Sequence, residues 1–455
     1  MASTFDLSKI LKTNPVLTLR QQISYTVKLS IPGIIAQISS IIMQYIDASM
    51  AGKLGPDASA AIGLTASSTW VLGSLSNALC LGFTVQVSHA TGAGNKEEAK
   101  KTFFNSILTC LAFSFLLAAV SSAISYRLPF WLGSSSAINT DASWYFFIFG
   151  LSTPLFITVY LMSGMLQCSG NMKLPAIMNA LMCFMDVAFN WLFIFKLKLG
   201  VKGAAIGTAA SAFVTAAGLF YYTVFKNEYL KLNSRKVMII KLSVIKKAVR
   251  IALPVGLEST AFTGALVIVA RMIAPLGSTA LAANSFATTA EALCYMPGYG
   301  VQESAITLVG QSTGAKREDL TKSFSVITLL LGVSLMSLAA VVMWFACPLV
   351  FSFLTPDKAI QELSIKVLRI ELFCEPFYAA AIVSSGALRG KGDTFVPGLM
   401  ALFSLWVVRL GLSALLITDY ELTGIWIAMT AELCFRGIIL MLRLFCFKKK
   451  AGDDQ

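Results

Sequence analysis

The sequence predicts an all-α polytopic membrane protein with twelve transmembrane helices in two pseudo-twofold-related six-helix lobes. Three observations carry this prediction. The composition is strongly apolar, twelve apolar runs are long enough to cross a bilayer, and one internal register recurs along the whole chain.

Of 455 residues, 56% are hydrophobic and only 13% are charged, whereas a soluble domain has about 45–50% apolar and about 25% charged residues. A typical soluble protein is thereby excluded. A helix needs about 20 mostly apolar residues to span a bilayer. Such stretches fall at 28–52, 60–88, 103–126, 144–166, 174–196, 203–225, 247–273, 280–310, 323–347, 367–388, 395–418 and 422–446. Clusters of Gly, Pro and charge separate them, among them Lys53-Leu54-Gly55-Pro56-Asp57 and Arg389-Gly390-Lys391-Gly392-Asp393, as expected of turns. Nothing before Leu29 reads as a cleavable signal, so the first span is expected to stay in the protein.

The net charge of +13 does not indicate a nucleic-acid partner, because the basic residues sit in short gaps between apolar runs, where orientation signals belong. Both termini and the even-numbered gaps hold 25 Lys and Arg, and the odd-numbered gaps hold 8. Both ends are therefore expected in the cytoplasm and the chain in the inner or plasma membrane. The longest polar gap divides it into a lobe at 1–225, a cytoplasmic linker at 226–246 and a second lobe with a short tail at 247–455. The nine Cys occur singly, and Cys80, Cys110, Cys183 and Cys294 lie inside apolar runs. Neither a disulfide framework nor a zinc site is indicated.

Comparison of the halves gives a register of 222 residues. Pro32 pairs with Pro254, Leu54-Gly55 with Leu276-Gly277, Thr91-Gly92-Ala93 with Thr313-Gly314-Ala315, and Gly170 with Gly392. One offset held across separated helices and loops indicates duplication. Parallel repeats with a site at their interface are a known transporter plan.

An ionisable residue inside a span is costly, about 2.5–3.5 kcal/mol at the centre on insertion scales, and is a functional candidate for that reason. Asp47 and Asp186 qualify. Counted along spans 1 and 5, their depths differ by only about 5 Å, and Thr208 lies about five residues into the returning span 6. The equivalents of the two acids in the second half are Val269 and Val408, with Arg271 and Arg409 beside them. An H+ or Na+ site therefore belongs in the first half. Glu258 and Glu291 stand in spans 7 and 8, where each either faces a substrate cavity or satisfies a helix contact. Glu371 and Glu375 lie toward the outer end of span 10 and are read as structural. Glu432 and Arg436, at i,i+4, are read as a mutually neutralising pair. His89 is the single histidine, so no His-based metal site or relay can be assembled. Pro32, in the middle of span 1, removes a backbone hydrogen bond and bends the helix, either as a moving part or as a static kink. There is no P-loop and no metal or nucleophile cluster, so neither ATP-driven transport nor an enzyme is expected, nor any cofactor beyond the coupling ion.

The run Tyr45-Ile46-Asp47-Ala48-Ser49-Met50-Ala51-Gly52-Lys53-Leu54-Gly55 resembles the first-helix signature of the multidrug and toxic compound extrusion family. Tyr295-Met296-Pro297-Gly298-Tyr299-Gly300, Leu308-Val309-Gly310-Gln311 and Ala387-Leu388-Arg389-Gly390-Lys391-Gly392-Asp393-Thr394 are similar to the same family. The resemblance covers essentially all twelve spans. It implies a V-shaped pair of lobes that alternates access and exports cationic, amphiphilic small molecules in exchange for H+ or Na+. In the lipid bilayer a self-contained two-lobe chain is expected to be able to work as a monomer. The chain looks most like the DinF-type prokaryotic branch, whose first-helix acid, fifth-helix acid, sixth-helix threonine and bending proline correspond to Asp47, Asp186, Thr208 and Pro32. One position departs from the pattern: the family's Asn one turn before the fifth-helix acid falls on Met182, with Asn179 and Asn190 as nearby polar substitutes. The seventh-helix acid of the NorM-type branch is matched poorly by Glu258. Two other readings stand beside this one, a lipid-linked oligosaccharide flippase, which would draw on Arg271 and Arg409, and a channel.

Overall fold

The structure, a computed structural model, describes residues 17–133, 136–227, 229–232 and 237–446. The chain termini to which the cytoplasmic assignment refers lie outside the described residues, as do 228 and 233–236 of the linker. Among the described residues there are helices and no strand.

The first copy of the repeat begins with α1 (Leu19–Gly52), α2 (Pro56–Gly92) and α3 (Lys96–Ile124), followed after a four-residue turn α4 (Leu128–Trp131) by α5 (Ser136–Leu151) and α6 (Thr153–Cys168). It ends with α7 (Lys173–Trp191) and α8 (Gly200–Tyr221), each prolonged by a single wide turn, at Leu192–Lys196 and Tyr222–Lys226. The second copy comprises α9 (Leu242–Ile273), α10 (Ser278–Gly314), α11 (Glu318–Leu354), α12 (Lys358–Leu372), α13 (Glu375–Gly390), α14 (Phe395–Phe403) and α15 (Leu410–Cys446), the last two joined by a wide turn at Ser404–Arg409. Local chemistry sets the helix starts. Pro56 opens α2, where its missing N–H costs nothing. Asn95 caps α3 by accepting from Glu98 N at 3.1 Å, and Asp357 caps α12 by accepting from Ala359 N at 2.9 Å.

The duplication is written in the backbone. Helix starts at Pro56 and Ser278, Lys96 and Glu318, Ser136 and Lys358, Thr153 and Glu375, and Lys173 and Phe395 are each 222 residues apart. Gly55 and Gly277 share one conformation, with φ 112 and 96 and ψ 172 and 173, which only glycine adopts cheaply. Gly170 and Gly392, at φ 88 and 81, end their helices in the left-handed turn.

Two expected spans are broken rather than straight. Span 4 is the pair α5–α6, bent by 44° at Ser152, and span 10 is the pair α12–α13, interrupted at Phe373–Cys374. The cause is the same in both copies: Pro154 and Pro376, again 222 apart, occupy the first turn of the second piece and cannot donate to the preceding helix. The Ser152 hydroxyl at the bend donates to Ile148 O at 2.7 Å, which also accepts from Ser152 N at 3.0 Å. By length and mean hydropathy, eight described helices can cross a membrane, or nine when the bent pair counts as one. The other three crossings of the twelve are α10, whose acids and glutamines lower its hydropathy, the broken α12–α13, and a reversal inside Phe395–Cys446. That reversal is at Glu421, with φ 50 and ψ −132. Ser404 against Glu432 and Arg409 against Met429 fix the two arms as antiparallel.

The chain forms two compact units, and their membership differs from a cut at the linker. Residues Ile38–Thr260 form one, and the described residues from Leu17 to Gln37 join Ala261 onward in the other. Thus α1 and α9 each change unit near the middle. The physical reason is close backbone packing of small residues, the means by which membrane helices associate. Gly82 of α2 lies so close to α9 that a Cβ would stand 2.2 Å from Ala248 O. Gly300 of α10 lies equally close to α1, a Cβ there standing 2.5 Å from Ile34 N. Pro32, next to this contact, sits inside a continuous α1. Of the described linker residues, Leu230 is fully buried in the core of the first unit, which is built on Phe83, Phe103, Met162, Met165, Leu166 and Leu219. Outward, Phe184, Phe345, Phe353 and Leu415 are exposed, as lipid-facing residues should be.

Candidate functional site

Two acids from different helices of the first unit meet at one amide. Asn190 Nδ2 of α7 donates to Asp47 Oδ1 of α1 at 2.9 Å and to Asp186 Oδ2 at 2.9 Å. Asn190 follows Asp186 by four residues, so both side chains share one face of α7. The Ser211 hydroxyl of α8 lies 3.2 Å from Asp186 Oδ1 and 2.9 Å from Thr208 O, and the Thr208 side chain stands beside the same carboxylate. Tyr145 of α5 lies in the electrostatic field of both acids. Asp186 and Asn190 are buried, while Asp47 and Thr208 are half-buried. The site therefore has a sealed floor and a more open rim.

The geometry fixes what such a site can hold. Both carboxylate oxygens lie 2.9 Å from one nitrogen, so they are no more than about 6 Å apart, and two unit charges there repel by about 3 kcal/mol at an effective dielectric of about 20. One neutral amide offsets this only in part, so the pair can accept one further proton or small monovalent cation. Asn190 Oδ1 has no hydrogen-bond partner among the described residues and is pressed against Gly207, where a Cβ would stand 2.0 Å from it. Gly207→Ala is therefore expected to displace the amide and weaken ion-dependent transport at least tenfold with little loss of membrane insertion, measured as ion-driven uptake into inverted vesicles beside expression level.

Not every residue singled out in the sequence joins this group. Asn179 is half-buried two turns before Asp186, about 10 Å along the axis. Met182, at the family's Asn position, packs on the apolar core. The amide that joins the acids is one turn after Asp186 rather than one turn before. Glu258 is half-buried on α9. Glu291 lies in the second unit, in the electrostatic field of Arg409 and of Glu371 and Glu375, all of them buried. Glu371 and Glu375, read as structural, lie in this buried cluster on either side of the break at Cys374; Glu371 Oε2 and both Glu375 oxygens have no hydrogen-bond partner among the described residues. Glu432 and Arg436 do pair, with Nε 3.0 Å from Oε1, and Ser404 Oγ donates to Glu432 Oε1 at 2.6 Å. Sequence reasoning did not identify Tyr145 or Ser211. The signal for Ser211 was its place one turn beyond Thr208 on the same helix face.

Comparisons with known proteins agree with the repeat. The family profile described as MatE matches residues 32–192 and 254–415, two copies that begin at Pro32 and Pro254. A protein named "Probable multidrug resistance protein NorM" from Thermotoga maritima is 26% identical over 91% of this chain and 90% of its own length. Among solved structures, a MOP superfamily transporter from Pyrococcus furiosus superposes with a TM-score of 0.89 at 19% identity, covering 96% of each chain. An outward-facing multidrug resistance MATE family transporter gives a TM-score of 0.88 at 19% identity, covering 93% of this chain and 95% of that one. These likenesses establish the fold as that of twelve-helix transporters.

Proposed function

Because the chain belongs to the multidrug and toxic compound extrusion (MatE) family, we propose that it is a secondary active antiporter exporting cationic or amphiphilic compounds in exchange for H+ or Na+, by alternating access. The observation that carries the reading is the single Asn190 amide held between the Asp47 and Asp186 carboxylates. A cation entering from outside removes the repulsion of that pair, and α1, α7 and α8, which supply its ligands, repack around the neutralised group. Substrate release accompanies that repacking. The driving force is adequate: one charge crossing 100 mV yields about 2.3 kcal/mol, close to the repulsion it relieves and enough to bias an exchange about fiftyfold. The paired acids in the first unit favour the DinF-type pattern, although the curated relative described above is named NorM.

The test is drug-stimulated ion flux in proteoliposomes of the purified full chain. H+ or Na+ should move inward as a cationic dye moves out, and collapse of that ion's gradient should stop accumulation. Dye movement that ignores both gradients would count against antiport. The flippase reading draws on Arg271 and Arg409, but Arg409 is buried, with Nη2 2.8 Å from Met429 Sδ and Glu432 and Glu291 in its field. Its charge is already answered by acids, which leaves little for a pyrophosphate.

A further inference from the structure

The segment that leads into α9 has a property that neither the transport site nor the spans explain. Residues 238–241 are not helical, yet Met238, Ile239, Ile240 and Leu242 are 42, 50, 67 and 62% exposed. Exposed apolar side chains are ordinary on a span, where the helix satisfies its own backbone, but irregular backbone exposed to lipid is not tolerated within the hydrocarbon. This stretch therefore belongs at the interface. Its backbone is held by Asn105 of α3, whose Nδ2 donates to Ile239 O at 2.9 Å and whose Oδ1 accepts from Lys241 N at 2.8 Å. Asn105 is itself buried. Leu230 and Val237, also buried, tie the preceding chain to the first unit. The segment is thus a fixed ledge presenting four apolar side chains.

Cationic groups follow at once. Lys246, Lys247 and Arg250 are exposed in the first turns of α9, and at 100° per residue the three fall within an arc of about 100°. Leu242, Lys246 and Arg250 share one face at i,i+4 spacing. Apolar anchors followed along α9 by basic heads on flexible stems make a pattern suited to a headgroup layer, because the stems can lie along apolar surface while their charges reach phosphate.

We infer that Met238–Leu242 with Lys246, Lys247 and Arg250 is an interfacial binding site for the headgroups of anionic phospholipids. The side of the membrane that carries the Lys and Arg excess is also the side where anionic lipid is attracted, by about fivefold for each basic residue near the surface. The site holds the start of α9 against the bilayer while the rest of that helix extends beyond it.

A benzoyl-phenylalanine photocrosslinker at position 240 of the full chain, in vesicles of equimolar phosphatidylglycerol and phosphatidylcholine with matched acyl chains, tests this directly. Adducts read by mass should favour phosphatidylglycerol at least fivefold, and K246Q/K247Q/R250Q should bring the ratio close to one while lipid adducts persist. Equal capture of both lipids, an unchanged ratio in the triple variant, or capture of protein in place of lipid would each overturn the assignment. Soluble glycerol phosphate that abolishes the preference at millimolar concentration would also overturn it, by showing a site for free anions.

Discussion

Asp47→Asn is expected to abolish ion-coupled efflux while leaving insertion and fold intact. The amide is isosteric, so Asn190 keeps a partner at that position, but one of two charges is gone. The repulsion of about 3 kcal/mol that makes the site receptive to a cation disappears with it. A loss of that size corresponds to about a hundredfold in ion occupancy. Asp186→Asn should be at least as severe, because Asp186 is fully buried and also faces Ser211. The measurement is dye accumulation in inverted vesicles under an imposed H+ or Na+ gradient, with expression and thermal unfolding recorded beside it. Wild-type accumulation by Asp47→Asn would remove the acid pair from the mechanism. Asn190→Ala separates the roles further: it leaves both charges but deletes the donor between them, at about 1.5–3 kcal/mol for each charge-assisted bond. Its expected signature is a changed ion affinity with a retained response to the gradient.

The second large effect is on assembly. Gly82→Ala adds one methyl group where a Cβ would meet Ala248 O at 2.2 Å and Ala248 C at 2.9 Å. Both atoms are backbone, so no side chain can swing away and a helix must move. Overpacking of this kind costs about 1–3 kcal/mol and occasionally more, and in a membrane the lost close approach has no hydrophobic compensation. Gly82→Ala should lower the unfolding temperature of the detergent-solubilised protein by several degrees. Gly63→Ala, on the same helix with nothing within 4 Å of the added Cβ, should not. Equal behaviour of the two would show that the contact has no mechanical role.

Much of this arrangement was legible in the residues because membrane insertion makes charge conspicuous. Asp47 and Asp186 interrupt apolar runs, and their replacement by Val269 and Val408 in the second copy marks the pair as particular to one half. The amide that joins them was harder to find. Asn179 and Asn190 both lie near Asp186, and choosing between them needs the rotation of α7 relative to α1. Ser211 and Tyr145 carry no such mark, since hydroxyl side chains are common in membrane helices and most donate to their own helix. Thr215, for example, donates to Ser211 O at 2.9 Å. The break in span 10 was hidden for a different reason. Pro376 sits at the head of an apolar run, where a proline reads as an ordinary helix start, and only the break before it brings Glu371 and Glu375 into the interior. That proline matches Pro154 in the 222-residue register, a correspondence that would have exposed both breaks together.

The change of unit within α1 and α9 bears on how the chain can be taken apart. Gly300 is covered by a helix from the first copy of the repeat, and Gly82 by one from the second. A gene severed in the stretch between the copies would yield two polypeptides, each with a bare glycine seam and a stray half-helix. Neither would be an autonomous half-transporter. Only co-expression, with the halves exchanging those segments as they meet, is expected to restore a working protein.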